Sequence, residues 1–170
     1  PCYLHGNDSG WDNASVFEVG VSVQSPDLAA FLVLQMDALA QVARRLDCLK
    51  EADVWQQQAD ALLEKLLTHF WLDNRFVALH ERKPCDGDSL LLLMPLVLGE
   101  RLPKSIQHEL IAALKQNNRF LTEHGLASES ISSPFYAPDG YWRGPIWAPA
   151  VFLIVEGLRA VGEKSFADEI

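Results

Sequence analysis

Two stretches of this chain carry side chains whose types and spacing could do chemistry. Residues 141–147 read Tyr-Trp-Arg-Gly-Pro-Ile-Trp, three large aromatics and an arginine around a Gly-Pro pair, just ahead of an apolar run. Aromatic faces present flat apolar surface to a pyranose ring, and a guanidinium offers a fork of donors to hydroxyls or to a carboxylate. Near the other end stands Gly6-Asn7-Asp8-Ser9-Gly10-Trp11-Asp12-Asn13, polar loop chemistry with a carboxylate directly after an indole. A ring platform in one place and an acid in the other suit the handling of a sugar.

Each of these residues also has a plainer reading. Asp12 could form an Asx turn or cap a helix. A single tryptophan or tyrosine more often anchors a helix in the core than meets a ligand, so one of Trp142 and Trp147 is expected to be structural. Trp147 would lie on a helix face with Val151 and Ile154. Arg143 could staple its own loop to Asp139 or Glu129 as readily as it touches a sugar. Ser128 and Glu129 are lesser candidates for a pocket rim, and Asp8 is the fallback acid.

Taken together and in this order, the two stretches resemble the clan of inverting glycosidases that includes glycoside hydrolase family 63. That family holds processing alpha-glucosidases and bacterial mannosylglycerate and glucosylglycerate hydrolases; trehalase is a more distant member of the clan. The likeness rests on Ser9-Gly10-Trp11-Asp12-Asn13, which matches a Ser-Gly-x-Asp-Asn acid loop, and on Tyr141 to Trp147. The lead-ins Gly125-Leu126-Ala127-Ser128-Glu129-Ser130 and Asp139-Gly140 extend it over most of the chain.

The resemblance implies an all-α fold, a partial (α/α)6 toroid with about three of its six helical hairpins. It implies Asp12 as general acid, with Trp11, Asn13, Tyr141, Trp142, Arg143, Gly144 and Trp147 binding substrate, and neither cofactor nor metal. The reaction implied is inverting hydrolysis of an alpha-linked glucoside or mannoside, which needs a second carboxylate to activate water. Trp11 would shield the Asp12 carboxyl and help it hold a proton near neutral pH. In the clan the base is a glutamate beyond the helix that follows the aromatic motif and the helix after that, so it is expected past residue 170. Glu156, Glu163 and Glu169 fall instead on expected helical turns. Residues 1–170 are therefore expected to form one partial catalytic domain, truncated at both ends and inactive alone. Its expected partners are an oligosaccharide or small glycoside and the rest of the same enzyme, or a second copy meeting exposed apolar helix faces.

Bulk properties agree. At 170 residues and 49% hydrophobic, the chain can bury a sizeable core. A formal charge of −9, from 14 basic and 23 acidic residues, argues against nucleic acid or an anionic membrane as partner. The apolar runs Leu90–Leu98 and Ala148–Val155 fall short of the roughly 20 residues of a membrane span. Cys2, Cys48 and Cys85 suggest no disulfide framework, and with no signal peptide evident a cytoplasmic location is expected. The glycosylation patterns at Asn7 and Asn13 are read as chance matches. His5, His69, His80, His108 and His124 form no His-x-x-x-His pair, and neither a Gly-x-Ser-x-Gly elbow nor a phosphate-binding glycine loop occurs.

Helical periodicity organises the rest. Leu28, Leu32, Leu39, Val42, Leu46 and Leu49 define a first helix opened by Ser25-Pro26-Asp27, with serine as cap and aspartate complementing the dipole. A second spans about Asp53 to Phe70 and packs antiparallel to it. Ser89–Leu98 reads as a short buried helix disturbed by Pro95, and Pro103 opens a fourth through Ile106, Leu110, Ile111 and Leu114. Arg75–Leu79 suits a brief strand or an extended loop beside the helical hairpin. After an irregular stretch from Glu123 to Gly144, too long for an idle connector, a fifth helix runs from Pro145 or Ile146 to Gly162, and a sixth starts near Glu163. Two other readings compete: a helical-repeat scaffold using the aromatics as protein-binding anchors, and a sugar epimerase on a similar toroid. No internal period supports the first, and the histidines expected of the second lie in neither motif.

Overall fold

Helices α1 (Pro26–Arg45) and α2 (Leu49–Phe70) form the hairpin expected from their spacing, joined by only three residues and packed along their length. The computed structural model describes every residue except Val21. Proline at the first turn suits the start of α1, but Ser25 does not cap it; its hydroxyl turns to the Asp27 carboxylate. Asp27 is fully buried and also accepts from Tyr3 Oη at 3.0 Å, so it ties the N-terminal segment to the helix rather than merely complementing the dipole. Burial pushes its carboxyl above the ordinary range, against the pull of those hydrogen bonds.

Of the stripe read from the sequence, Leu28 and Leu32 are half-buried, with Leu28 packed against the core, but the C-terminal part turns outward. Leu39, Val42, Leu46 and Leu49 are 36%, 52%, 68% and 62% exposed, whereas Ala29, Ala30, Val33, Ala40 and Ala43 are buried. Small residues let helix backbones approach closely, so α1 packs through alanines and Val33 with Leu28, Phe31 and Met36 beside them, and leaves Leu34, Leu39 and Val42 uncovered. With 20 residues, α1 is long and apolar enough by length and composition to cross a membrane, yet its alanine face sits in the protein core. In α2 the buried positions are Ala52, Ala59, Leu66 and Phe70, the last three on the expected stripe.

The apolar segment after Ser89 is a 3-10 helix, Leu90–Arg101, broken at Gly99 and buried on nearly all sides. Pro95 inside it lacks the N–H that an α-helix would use, which fits the tighter, irregular winding. It packs against α1 and against α4 (Ala148–Ala160). Helix α3 (Lys104–Lys115) buries Ile106, Leu110 and Leu114 as expected, and α5 (Lys164–Glu169) follows α4. Among the described residues the strands are six two-residue pieces: β1 (Trp71–Leu72) with β2 (Arg75–Phe76), β3 (Leu79–His80) with β4 (Lys83–Pro84), and β5 (Leu121–Thr122) with β6 (Gly125–Leu126). The brief strand or extended loop expected at 75–79 is thus split between two hairpins. The architecture is all-α, three successive helical pairs whose middle pair begins with a 3-10 helix.

Candidate active site

The two motifs, about 130 positions apart in sequence, are bonded to each other. The N-terminal loop winds through two 3-10 turns, Gly6–Asp8 and Ser15–Phe17, with Asp12 and Asn13 between them. Ser9 Oγ donates to the Gly6 carbonyl at 2.5 Å and accepts from Trp11 N–H at 2.9 Å, setting the turn that presents Asp12. Asp8 accepts from His5 N–H at 3.0 Å, a local capping bond.

Asn13 clamps the far motif. Its Nδ2 donates to the Gly140 carbonyl at 3.0 Å, its Oδ1 accepts from Trp142 N–H at 2.9 Å, and its own carbonyl accepts from Arg143 Nε at 2.7 Å. The amide is therefore occupied on both sides, as befits a docking residue and not a glycan acceptor. Asp12 is half-buried, and its Oδ2 accepts from Tyr141 Oη at 2.8 Å. This bond holds the Tyr141 proton more firmly than usual, chiefly through donation to Asp12, so the hydroxyl remains a donor.

The aromatics form one stack. Trp142 lies parallel to Trp147 with ring centres 4.5 Å apart, Trp11 sits 4.4 Å from Trp142 on a tilt, and Tyr141 meets Trp147 edge-on at 5.3 Å. Trp11 and Trp142 are buried, Trp147 is half-buried and Tyr141 is 46% exposed. Trp142 is the more enclosed of the pair, although its Nε1 has no acceptor. Trp147 is the cap residue before α4, not a member of its face, and its Nε1 donates to the Tyr141 carbonyl at 2.9 Å. The indole of Trp11 is directed into this stack, so the partner that meets the Asp12 carboxyl is Tyr141.

Arg143 takes neither expected partner. It pairs with Glu18, and its guanidinium lies 5.9 Å above the Phe135 ring. Sequence spacing held no sign of Glu18, which is 125 residues away and lies just past the acid loop. Gly144 is buried behind the motif, where its N–H reaches Ser128 Oγ at 3.0 Å and a Cβ would come within 2.1 Å of the Ala137 carbonyl. The structure thus brings Trp11, Asp12, Asn13, Tyr141, Trp142, Arg143 and Trp147 together and sets Gly144 beneath them.

Glu129 and Ser128 are not on a rim. Glu129 is fully buried and accepts from Ser15 Oγ at 2.6 Å, Ser133 Oγ at 2.5 Å and Asp88 N–H at 2.9 Å. It fastens the turn after Asp12 to the segment leading into the aromatics. Its one sequence signal was a glutamate set between serines, which reads as loop polarity. Among the described residues no group of three or more His, Cys, Asp or Glu could hold a metal ion. A cleft of about 490 Å³ lined by Arg75, Asp88, Glu109 and Arg119 includes none of the aromatic-cluster residues.

The helical-pair fold has counterparts among known proteins. Over residues 2–170 the chain matches the mannosylglycerate hydrolase MGH1-like glycoside hydrolase domain, and it belongs to that family. A stretch of 42 residues, 25% of this chain and 10% of the relative, is 40% identical to a mannosylglycerate hydrolase of the bacterium Thermus thermophilus. The glycoside hydrolase family 63 mannosylglycerate hydrolase from a second strain of Thermus thermophilus, solved with glucose, superposes with a TM-score of 0.82 at 19% identity. That match covers 99% of this chain and 51% of the enzyme, so the chain spans about half the length of the solved relative. A structure described as a sialidase gives a TM-score of 0.80 at 14% identity, over 93% of this chain and 15% of that one. At these identities the likeness concerns the fold, that of a partial toroid.

Proposed function

We propose that this chain is the acid-bearing half of an inverting glycoside hydrolase that cleaves an alpha-linked mannoside or glucoside. The observation that carries the reading is the direct bond between Tyr141 and Asp12, with Asn13 clamping both flanks of the tyrosine. It sets a half-buried carboxyl beside a partly exposed aromatic ring, as protonation of a glycosidic oxygen above a sugar platform requires. In this reading Asp12 protonates the leaving oxygen, and Tyr141 and Trp147 offer ring surface to the pyranose. Arg143 acts mainly through Glu18 and Asn13, holding the two motifs together.

An inverting site also needs a base roughly 6.5 to 9.5 Å from the acid to leave room for water. Glu129 is enclosed and Glu18 is held by Arg143, so neither is assigned that task. The base is placed on a part of the family domain outside these residues, consistent with a chain that spans half of its solved relative. Sugar released by the intact enzyme, followed by proton NMR before mutarotation, tests the reading. The β-anomer should appear first from an α-glycoside; first release of the α-anomer, or no cleavage of α-mannosides and α-glucosides, would contradict it.

A further inference from the structure

The backbone of Tyr141 is in the left-handed region, with φ at 64°. An aromatic residue rarely adopts that conformation, which is strained and persists only where surrounding bonds enforce it. Here they do so from three sides. Asn13 holds the Gly140 carbonyl before Tyr141 and the Trp142 N–H after it, and Trp147 Nε1 holds the Tyr141 carbonyl itself. The outcome of that constraint is the position of one atom, the hydroxyl 2.8 Å from Asp12 Oδ2. The residue next to the acid thus clamps the tyrosine, and the tyrosine in turn holds the acid.

A platform for a sugar ring needs no such arrangement, since phenylalanine would serve. From the closed circuit Asp12–Asn13–Tyr141 we infer that Tyr141 is a positioning residue for proton transfer, fixing the Asp12 carboxyl so that Oδ1 delivers the proton and Oδ2 stays bonded. The inference rests on the assignment of Asp12 as the acid. In the reaction, the proton on Oδ1 moves to the glycosidic oxygen as the bond from that oxygen to the anomeric carbon breaks. The bonding pair stays with the departing oxygen, and a water that has lost its proton to the base forms the new bond to carbon. Asp12 is left as a carboxylate, and the hydrogen bond from Tyr141 becomes a charge-assisted one. Such bonds are roughly twice as strong as neutral ones, so the interaction grows during the step and raises kcat rather than substrate affinity.

The test uses the intact enzyme with Tyr141→Phe, Asp12→Asn and the double variant, assayed on a natural alkyl glycoside and on an aryl glycoside with an activated leaving group. Tyr141→Phe should lower kcat on the alkyl glycoside by about 10- to 100-fold with KM changed less than about threefold, and the loss should shrink to a few-fold on the aryl glycoside. In the Asp12→Asn background the same change should have almost no further effect, because the tyrosine acts through that carboxyl. An equal loss on both substrates, a change in KM alone, or full additivity with Asp12→Asn would overturn the inference. If Asp12→Asn shows the dependence on leaving group and Tyr141→Phe does not, only the positioning role fails. If Asp12→Asn leaves the alkyl glycoside rate near wild type, the acid assignment itself fails.

Discussion

At the scale of single residues, the site is organised by groups that do no chemistry themselves. Glu129 shows this best, a carboxylate with no exposed surface, receiving two hydroxyls and one backbone N–H from three different segments. Removing it leaves the buried Ser15 hydroxyl and the half-buried Ser133 hydroxyl and Asp88 N–H without their acceptor, and each unsatisfied buried polar group costs about 1–3 kcal/mol. Glu129→Ala should therefore lower stability by about 3 kcal/mol or more in denaturant titration, and a change below about 1 kcal/mol would show that the network is dispensable. Such a residue could not be found from the sequence, where Ser128-Glu129-Ser130 reads as ordinary loop polarity because burial of a glutamate depends on partners up to 114 residues away. Asp12 and Asn13 are ordinary turn residues by themselves; they and the aromatics were legible because three large aromatics cluster within seven positions and the order of the two stretches matched a known pattern. Their connection was not: Asn13 as a clamp, Tyr141 as the donor to Asp12 and Glu18 as the mate of Arg143 all depend on long-range contact.

At the scale of elements, periodicity located the helices well and their faces less well. The expected helices α2, α3 and α4 appear within a few residues of the expected limits, and on α3 the apolar spacing named the buried side correctly. For α1 the same reasoning held at half-buried Leu28 and Leu32 but also chose Leu39, Val42, Leu46 and Leu49, which lie open to solvent, because alanine is a weak hydrophobic signal yet ideal where two backbones approach closely. A related close approach joins α4 to the 3-10 helix. At Gly157 a Cβ would stand 2.7 Å from the Leu96 carbonyl oxygen, nearer than atoms of these kinds approach. On an exposed helix Gly→Ala stabilises by about 0.5–1 kcal/mol, but overpacking a filled contact costs about 1–3 kcal/mol. Gly157→Ala should thus lower the melting temperature, and a rise would mean that the contact yields easily. The winding of Leu90–Arg101 was beyond a pattern reading, since a run apolar on every side has no period to distinguish an α-helix from a 3-10 helix.

At the scale of the whole molecule, the described helices leave apolar side chains uncovered along α1, at the start of α2 and at Phe152 of α4. The chain covers 51% of the solved family 63 enzyme on which it superposes. The acid loop and aromatic stack belong to the same open assembly, so their chemistry is proposed for the enzyme that contains them and is best measured there. Everything proposed for the site depends on Asp12, fixed by Tyr141 and Asn13, protonating the leaving oxygen. The decisive quantity is kcat/KM of the intact enzyme for a natural α-glycoside with Asp12→Asn, which preserves shape and removes the transferable proton. The expected result is a loss of about 10²- to 10⁴-fold with an unchanged melting temperature. Activity within a few-fold of wild type would show that Asp12 is not the acid.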